Sequence, residues 1–255
     1  MKIAFEGIAI GLMPTSDVDD YVSDGYKSSV PFYDPRTYEL PHESGAIDEL
    51  KQVATGTRLL DAFCGQGREA KLLNDAGFDV TGIDVLAPMI TNAQRYASDQ
   101  SFSATFLVAD FATFHSSPRF DVVYTSCWMY STFQGRRRRL EFLRRCTDLC
   151  RESGTIVISF DPQVESKFKT LLRHSIARIT ALVTLGNMNS EIGERVGADN
   201  GLFWHCHTVD QVHQEVRDAG LYIVKTLHGT GGAPTTLILC PGTLETQPIQ
   251  NGGAK

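Results

Sequence analysis

No stretch of the 255-residue chain reaches about 18 consecutive apolar residues, so no candidate transmembrane helix exists and no membrane partner is expected. No two cysteines stand in CxxC spacing. The six lie scattered at 64, 127, 146, 150, 206 and 240, which excludes a zinc ribbon and a dithiol redox motif and fits a reduced, cytoplasmic compartment. Positive charge is not in excess: 24 Lys and Arg face 30 Asp and Glu, for a net charge of -6. That balance argues against a dedicated nucleic-acid binder. No internal repeat is present. The opening MKIAFEGIAIGLM is short and broken by Glu6, so it does not read as a signal peptide.

The length suits one large α/β domain with a full core. Residues 1–45 are aromatic-rich and irregular, with Tyr21, Tyr26, Phe32, Tyr33 and Tyr38 among Asp, Ser and Pro, and they predict no long helix or strand. We expect this segment to form a lid. From 46 to 245 a regular alternation predicts the main domain. Strand signals fall at 57–63, 78–84, 104–110, 120–126 and 154–160, with helical patterns between them. Gly77 stops one helix, Pro88 opens the next, and Leu140, Leu143, Cys146 and Cys150 share a face of the third.

Residues 161–203 interrupt this alternation with a helical stripe, Phe168, Leu171, Leu172, Ile176, Ile179 and Val183, which predicts either a roof over a pocket or core packing. Thr208 and Gln211 have capping-box spacing at the start of a late helix that Gly220 closes. LYIVKTL and TTLILCP follow with only a short connection, which suits an antiparallel pair. Residues 246–255 read as a disordered tail. The predicted fold is therefore α/β: a seven-stranded, mostly parallel sheet with helices on both faces, its last strand antiparallel, and a helical insertion between strands five and six.

The chemistry concentrates at LLDAFCGQGREAKLL (59–73), an apolar strand that runs through an acid into a glycine turn and a helix. Gly65, Gly67 and Ala70 match GxGxxG/A, and Asp84 follows Gly65 by 19 residues, so a dinucleotide is one candidate ligand. Asp61 and Glu69 flank the turn, however, and would repel a pyrophosphate at the helix N-terminus. S-adenosylmethionine carries a sulfonium and an ammonium and no phosphate, so the same charges favour it. Asp61, Asp84 and Asp110 close three successive strands and line one rim, where ligands of open parallel sheets bind.

These motifs resemble the class I (Rossmann-like) S-adenosylmethionine-dependent methyltransferases over roughly residues 50–240. LLDAFCGQG is similar to that family's first motif, TGIDVLAPMI to its second, FLVADF to its third and FDVVYTSCWMY to its fourth. One departure stands out: Phe63 occupies the position of the first glycine in DxGxGxG. The resemblance implies a donor site in which Cys64, Gly65 and Gly67 pass under the methionyl part, with Asp61 beside it. Asp84 would hold the ribose, Val85, Leu86 and Met89 would flank the adenine, Asp110 and Phe111 would sit at its edge, and Cys127 would face the methionyl end. The expected activity is in-line methyl transfer to a small-molecule acceptor by proximity and orientation.

Candidates on the acceptor side are few. Trp128, Tyr130 and Trp204, with Tyr26 and Tyr33 from the lid, are expected to wall the acceptor. Tyr130, His205 and His207 are the candidate catalytic groups. His205 and His207 stand two apart in an extended segment and so point the same way. No further ligands at sensible spacing accompany them, so no metal is expected. The arginines at 136–139, 144, 145 and 151 read as a solvated helix face. Three other readings stay open: a nucleic-acid methyltransferase, a dinucleotide-dependent oxidoreductase, and a methyltransferase-like binding protein without catalysis.

Overall fold

The computed structural model describes residues 2–13, 25, 27, 34–36, 42–125, 128–196, 202–229 and 233–242. Helix α1 spans Lys2–Leu12 and α2 His42–Val53. An alternation follows: β1 (Arg58–Ala62), α3 (Arg68–Asp75), β2 (Asp79–Asp84), α4 (Ala87–Gln100), β3 (Ala104–Val108) and β4 (Phe120–Thr125). A 3-10 turn at Met129–Thr132 leads into α5 (Arg136–Leu149) and β5 (Cys150–Phe160). The insertion holds α6 (Lys167–Thr184) and two short strands, β6 (Glu194–Val196) and β7 (Phe203–His205). Helix α7 (Val209–Asp218) and strands β8 (Leu221–Leu227) and β9 (Thr235–Pro241) complete the described fold.

Seven strands form one sheet in the order β3-β2-β1-β4-β5-β9-β8. Every pairing is parallel except those of β9, which runs antiparallel to both β5 and β8. The short connection before β9 dictates that reversal. Strand period divides the side chains between two cores. Leu59 packs with Leu50, Leu73, Ile90 and Phe106 on one face, while Leu60 packs with Phe142, Leu143, Val212 and Leu239 on the other. The carboxyl ends of β1, β2 and β4 meet at the centre of the rim, where strand order reverses.

Two expectations need correction. Residues 2–12 are helical, not irregular. Helix α1 carries little helical signal of its own because its partner is distant in sequence: it packs on α6. Gly11 permits the contact, since a Cβ there would stand 2.5 Å from the Ala177 carbonyl oxygen. Arg173 of α6 reaches across to Glu6 at 2.5 Å and to Glu165 at 2.5 Å, and both Glu6 and Arg173 are buried. The second correction concerns the stripe on α6. Of its residues only Ile176 turns toward α1, half-buried beside Gly7; Phe168, Leu171, Leu172, Ile179 and Val183 are exposed, and α6 buries Thr170, Arg173, Ala177 and Ala181 instead. The insertion is also not purely helical, because β6 and β7 form an antiparallel ribbon that pairs Glu194 with His205.

Candidate functional site

The glycine turn is built by alternate residues in the left-handed region: Phe63 at φ 61°, Gly65 at φ 52° and Gly67 at φ 84°. For glycine this costs little, and for phenylalanine about 1–2 kcal/mol. The Phe63 ring offsets that strain by packing 5.0 Å from Phe111, 6.1 Å from Phe133 and 6.3 Å from Phe142, centroid to centroid. The departure from the glycine pattern is thus held by an aromatic cluster. A Cβ on Gly65 would meet open space, so the turn leaves its backbone approachable from the rim.

Asp84 organises the turn. Its Oδ2 accepts from the Gly65 N–H at 3.1 Å and its Oδ1 from the Leu86 N–H at 2.9 Å. Burial raises its pKa, and those backbone donors pull it back down. Asp61, at the end of β1, is fully buried, and neither carboxylate oxygen has a hydrogen-bond partner. Burial above all, then the nearby Glu69 carboxylate, pushes Asp61 well above the usual carboxylate range, while Arg68 opposes them. A buried carboxyl with unpartnered oxygens beside a second acid suits a cationic group. Cys64 is buried with its thiol pushed well up, first by burial and then by Asp61, so it is not a thiolate nucleophile.

Further along the rim, Met89 is buried, Leu86 half-buried and Val85 exposed. Asp110 is exposed two residues beyond β3, where its Oδ1 accepts from the Ala112 N–H at 2.9 Å. Phe111 turns inward to the ring cluster, 5.5 Å from Phe142. Cys127, Tyr21, Tyr26 and Tyr33 lie outside the described residues.

On the far side of the site, Trp128 follows β4 and meets Trp204 of β7 edge-to-face at 6.2 Å. The Trp128 N–H donates to Ser159 Oγ at 3.0 Å, and the Asp161 N–H donates to Ser131 Oγ at 2.9 Å, tying the turn after β4 to the end of β5. Tyr130, His205 and His207 are all fully buried. The two imidazoles do point the same way, stacked at 4.1 Å with 1° between ring planes. Burial first, with Arg139 contributing, lowers both well below the ordinary histidine range and keeps them neutral. The Tyr130 hydroxyl donates to Glu215, which also takes a bidentate pair from Arg139, Nε at 2.9 Å and Nη2 at 2.8 Å.

Sequence reasoning missed this ionic cluster. Arg139 is fully buried, not part of a solvated face, and it also reaches Glu191 at 2.9 Å. A signal existed: Arg139 and Glu215 each adjoin a buried apolar residue, Leu140 and Val216, on an inward helix face. Glu194, opposite His205 in the ribbon, is buried and pushed up to about 8 by that burial, so it is protonated at neutral pH. Its Oε1 accepts from Gln134 at 3.2 Å.

Residues 59–154 match the family described as methyltransferase domain. A protein of Geobacillus sp. (strain WCH70) named as a methyltransferase is 29% identical over 149 residues, covering 56% of this chain and 59% of that protein. The 23S rRNA (uracil(747)-C(5))-methyltransferase of Pyrococcus horikoshii is 30% identical over 76 residues, 30% of this chain and 18% of that one. The chain therefore spans less than two thirds of the length of these relatives. Among solved structures, an S-adenosylmethionine-dependent methyltransferase from Clostridium acetobutylicum ATCC 824 superposes with a TM-score of 0.61 at 12% identity, covering 86% of this chain and 99% of its own. The 1,6-didemethyltoxoflavin-N1-methyltransferase of Burkholderia thailandensis gives 0.61 at 16% identity, covering 91% and 92%. At such identities the likeness is one of fold. The methyltransferase-domain match thus covers residues 59–154, and with its sheet order the chain shares the fold of these S-adenosylmethionine-dependent methyltransferases.

Proposed function

We propose that the protein transfers a methyl group from S-adenosylmethionine to a small-molecule acceptor. Asp61 carries the reading: a fully buried carboxylate with two unpartnered oxygens beside an open glycine turn fits a cationic ligand and disfavours a pyrophosphate. Asp84 keeps free lone pairs after accepting from Gly65 and Leu86, and these suit the ribose hydroxyls. Cys64, Gly65 and Gly67 offer backbone to the methionyl part, and Leu86 and Met89 offer apolar contact to the base, with Val85, Asp110, Phe111 and Cys127 as further members of the set. When bound, the donor supplies an electrophilic methyl on its sulfonium. The residues of the chain then orient the partners and keep water out.

On the acceptor side, Trp128 and Trp204 are our candidates for the wall, with Tyr26 and Tyr33 as lid residues. Tyr130, His205 and His207 are assigned as positioning residues. Buried behind the wall, Tyr130 donates to Glu215, the Arg139 paired with Glu215 lies 3.5 Å from His205 Nδ1, and His207 stacks on His205. A small acceptor is favoured over nucleic acid because at least four of the six α5 arginines are engaged within the protein. Arg136 pairs with Asp218, Arg137 with Glu141 and Arg139 with Glu215, while Arg145 donates to the Phe111 carbonyl oxygen.

Calorimetry with S-adenosylhomocysteine and with NADH tests the donor site, and binding of NADH alone would overturn it. Comparing metabolite extracts before and after incubation with protein and donor tests the acceptor. A new mass heavier by one methylene supports transfer to a small molecule. Methyl label entering RNA alone refutes it, and donor binding with no turnover in any fraction points to a binding protein.

A further inference from the structure

Helix α6 is amphipathic the wrong way round. At about 100° per residue, Phe168, Leu171, Leu172, Ile179, Leu182 and Val183 fall within an arc of about 120°. All six face solvent, with exposures between 41% and 78%. The opposite side, Thr170, Arg173, Ala177 and Ala181, is the one that packs against the protein. A soluble helix keeps its large apolar residues inward. Here Thr170, Ala177 and Ala181 take the packing side, with Arg173 paired to the buried Glu6, and the large apolar residues are left outside.

Charge states what the exposed face fits. Lys167 and Arg178 lie on one flank of the arc and Lys169 on the other, each about 80–100° from its centre. All three are exposed and make no salt bridge among the described residues. No Asp or Glu occurs from 166 to 190, in a chain whose net charge is -6. A second copy docked on this stripe would bring the cations against their own kind. An anionic bilayer satisfies both features, taking the apolar arc below its headgroups and the cations beside its phosphates. None of the described helices is long and apolar enough to cross a membrane, so α6 would lie on the surface.

We propose that α6 is a docking surface for an anionic lipid bilayer. The inference stands apart from the methyl-transfer reading, since binding is measured without donor or acceptor. Co-sedimentation of the full chain with phosphatidylcholine vesicles, and with vesicles about one third phosphatidylglycerol, tests it. Binding is expected to the second alone and to weaken at high salt. A K167Q/K169Q/R178Q variant should bind roughly a hundredfold more weakly, about fivefold per cation. An F168S/I179S/L182S variant should lose binding while keeping its circular dichroism, because the three side chains are exposed. Wild-type protein left in the supernatant with anionic vesicles would overturn the proposal. So would equal sedimentation of the serine variant, or a dimer in solution that the serine substitutions dissolve without any vesicle binding.

Discussion

At the scale of the residue, Asp61 and Asp84 show how differently two rim acids are used. Asp61 is buried with no hydrogen-bond partner on either oxygen, and burial and Glu69 raise its pKa well above the usual range against the opposing charge of Arg68. A cation entering beside it favours the ionised form, so donor binding should expel a proton. Isothermal calorimetry in buffers of differing ionisation enthalpy measures that proton directly. Asp61→Asn should abolish the buffer dependence and weaken affinity. Buffer-independent heats in the wild type would mean that Asp61 does not face the donor.

Asp84 instead accepts two backbone N–H groups that shape the glycine turn. Asp84→Ala should weaken donor binding by about 1–3 kcal/mol through unpaired ribose hydroxyls. The rim position alone suggests little cost in stability. Its hydrogen bonds predict a loss of about 0.5–1.5 kcal/mol for each bond removed, readable as a lower denaturant midpoint. An unchanged midpoint would show that the turn holds itself.

At the scale of the element, α1 is the informative piece. Little in its own sequence marks it as helical, and its docking depends on Gly7 and Gly11, where a Cβ would stand 2.8 and 2.5 Å from α6 carbonyl oxygens, and on the buried Glu6–Arg173 pair that joins distant parts of the chain. A Cβ at Gly11 would collide with the α6 backbone. Gly11→Val should therefore push the helices apart and destabilise by about 1–3 kcal/mol, in spite of its added apolar surface. Limited proteolysis should then cut earlier within residues 2–12, while donor affinity, built on β1 and β2, stays as it was. Protease resistance equal to that of the wild type would mean that α1 tolerates a wider spacing than its packing implies.

At the scale of the whole molecule, two buried sets pull stability against pH in opposite directions. The folded pKa of Asp61 is raised, so the folded state holds a proton that the unfolded chain releases above about pH 4. Unliganded stability is therefore lost as pH rises from there through the folded value. The folded pKa values of His205 and His207 are lowered, so the unfolded chain takes up protons first and stability is lost as pH falls below about 6.5. Thermal unfolding from pH 4.5 to 8, compared between wild type and variants, separates the two. His207→Phe should flatten the acid limb, and Asp61→Asn should flatten the opposing slope. An acid limb unchanged in His207→Phe would assign it to other groups.

The sequence by itself determined the sheet, its antiparallel last strand and the glycine turn at its rim. These follow from local signals: apolar runs of strand length, the glycine turn, acids at strand ends, and caps such as Thr208, whose oxygen accepts from the Gln211 N–H at 3.2 Å. The stacked direction of His205 and His207 was legible too, because strand period fixes it. Only the tertiary structure decided what depends on neighbours far along the chain. Glu6 meets Arg173, and Arg139 meets Glu215, across separations that no window of sequence spans. The same holds for the stripe on α6. Its period announces an amphipathic helix, but which face turns inward is set by what packs against it. Here that partner is α1, which accepts the small side of α6 and leaves the large apolar side to solvent.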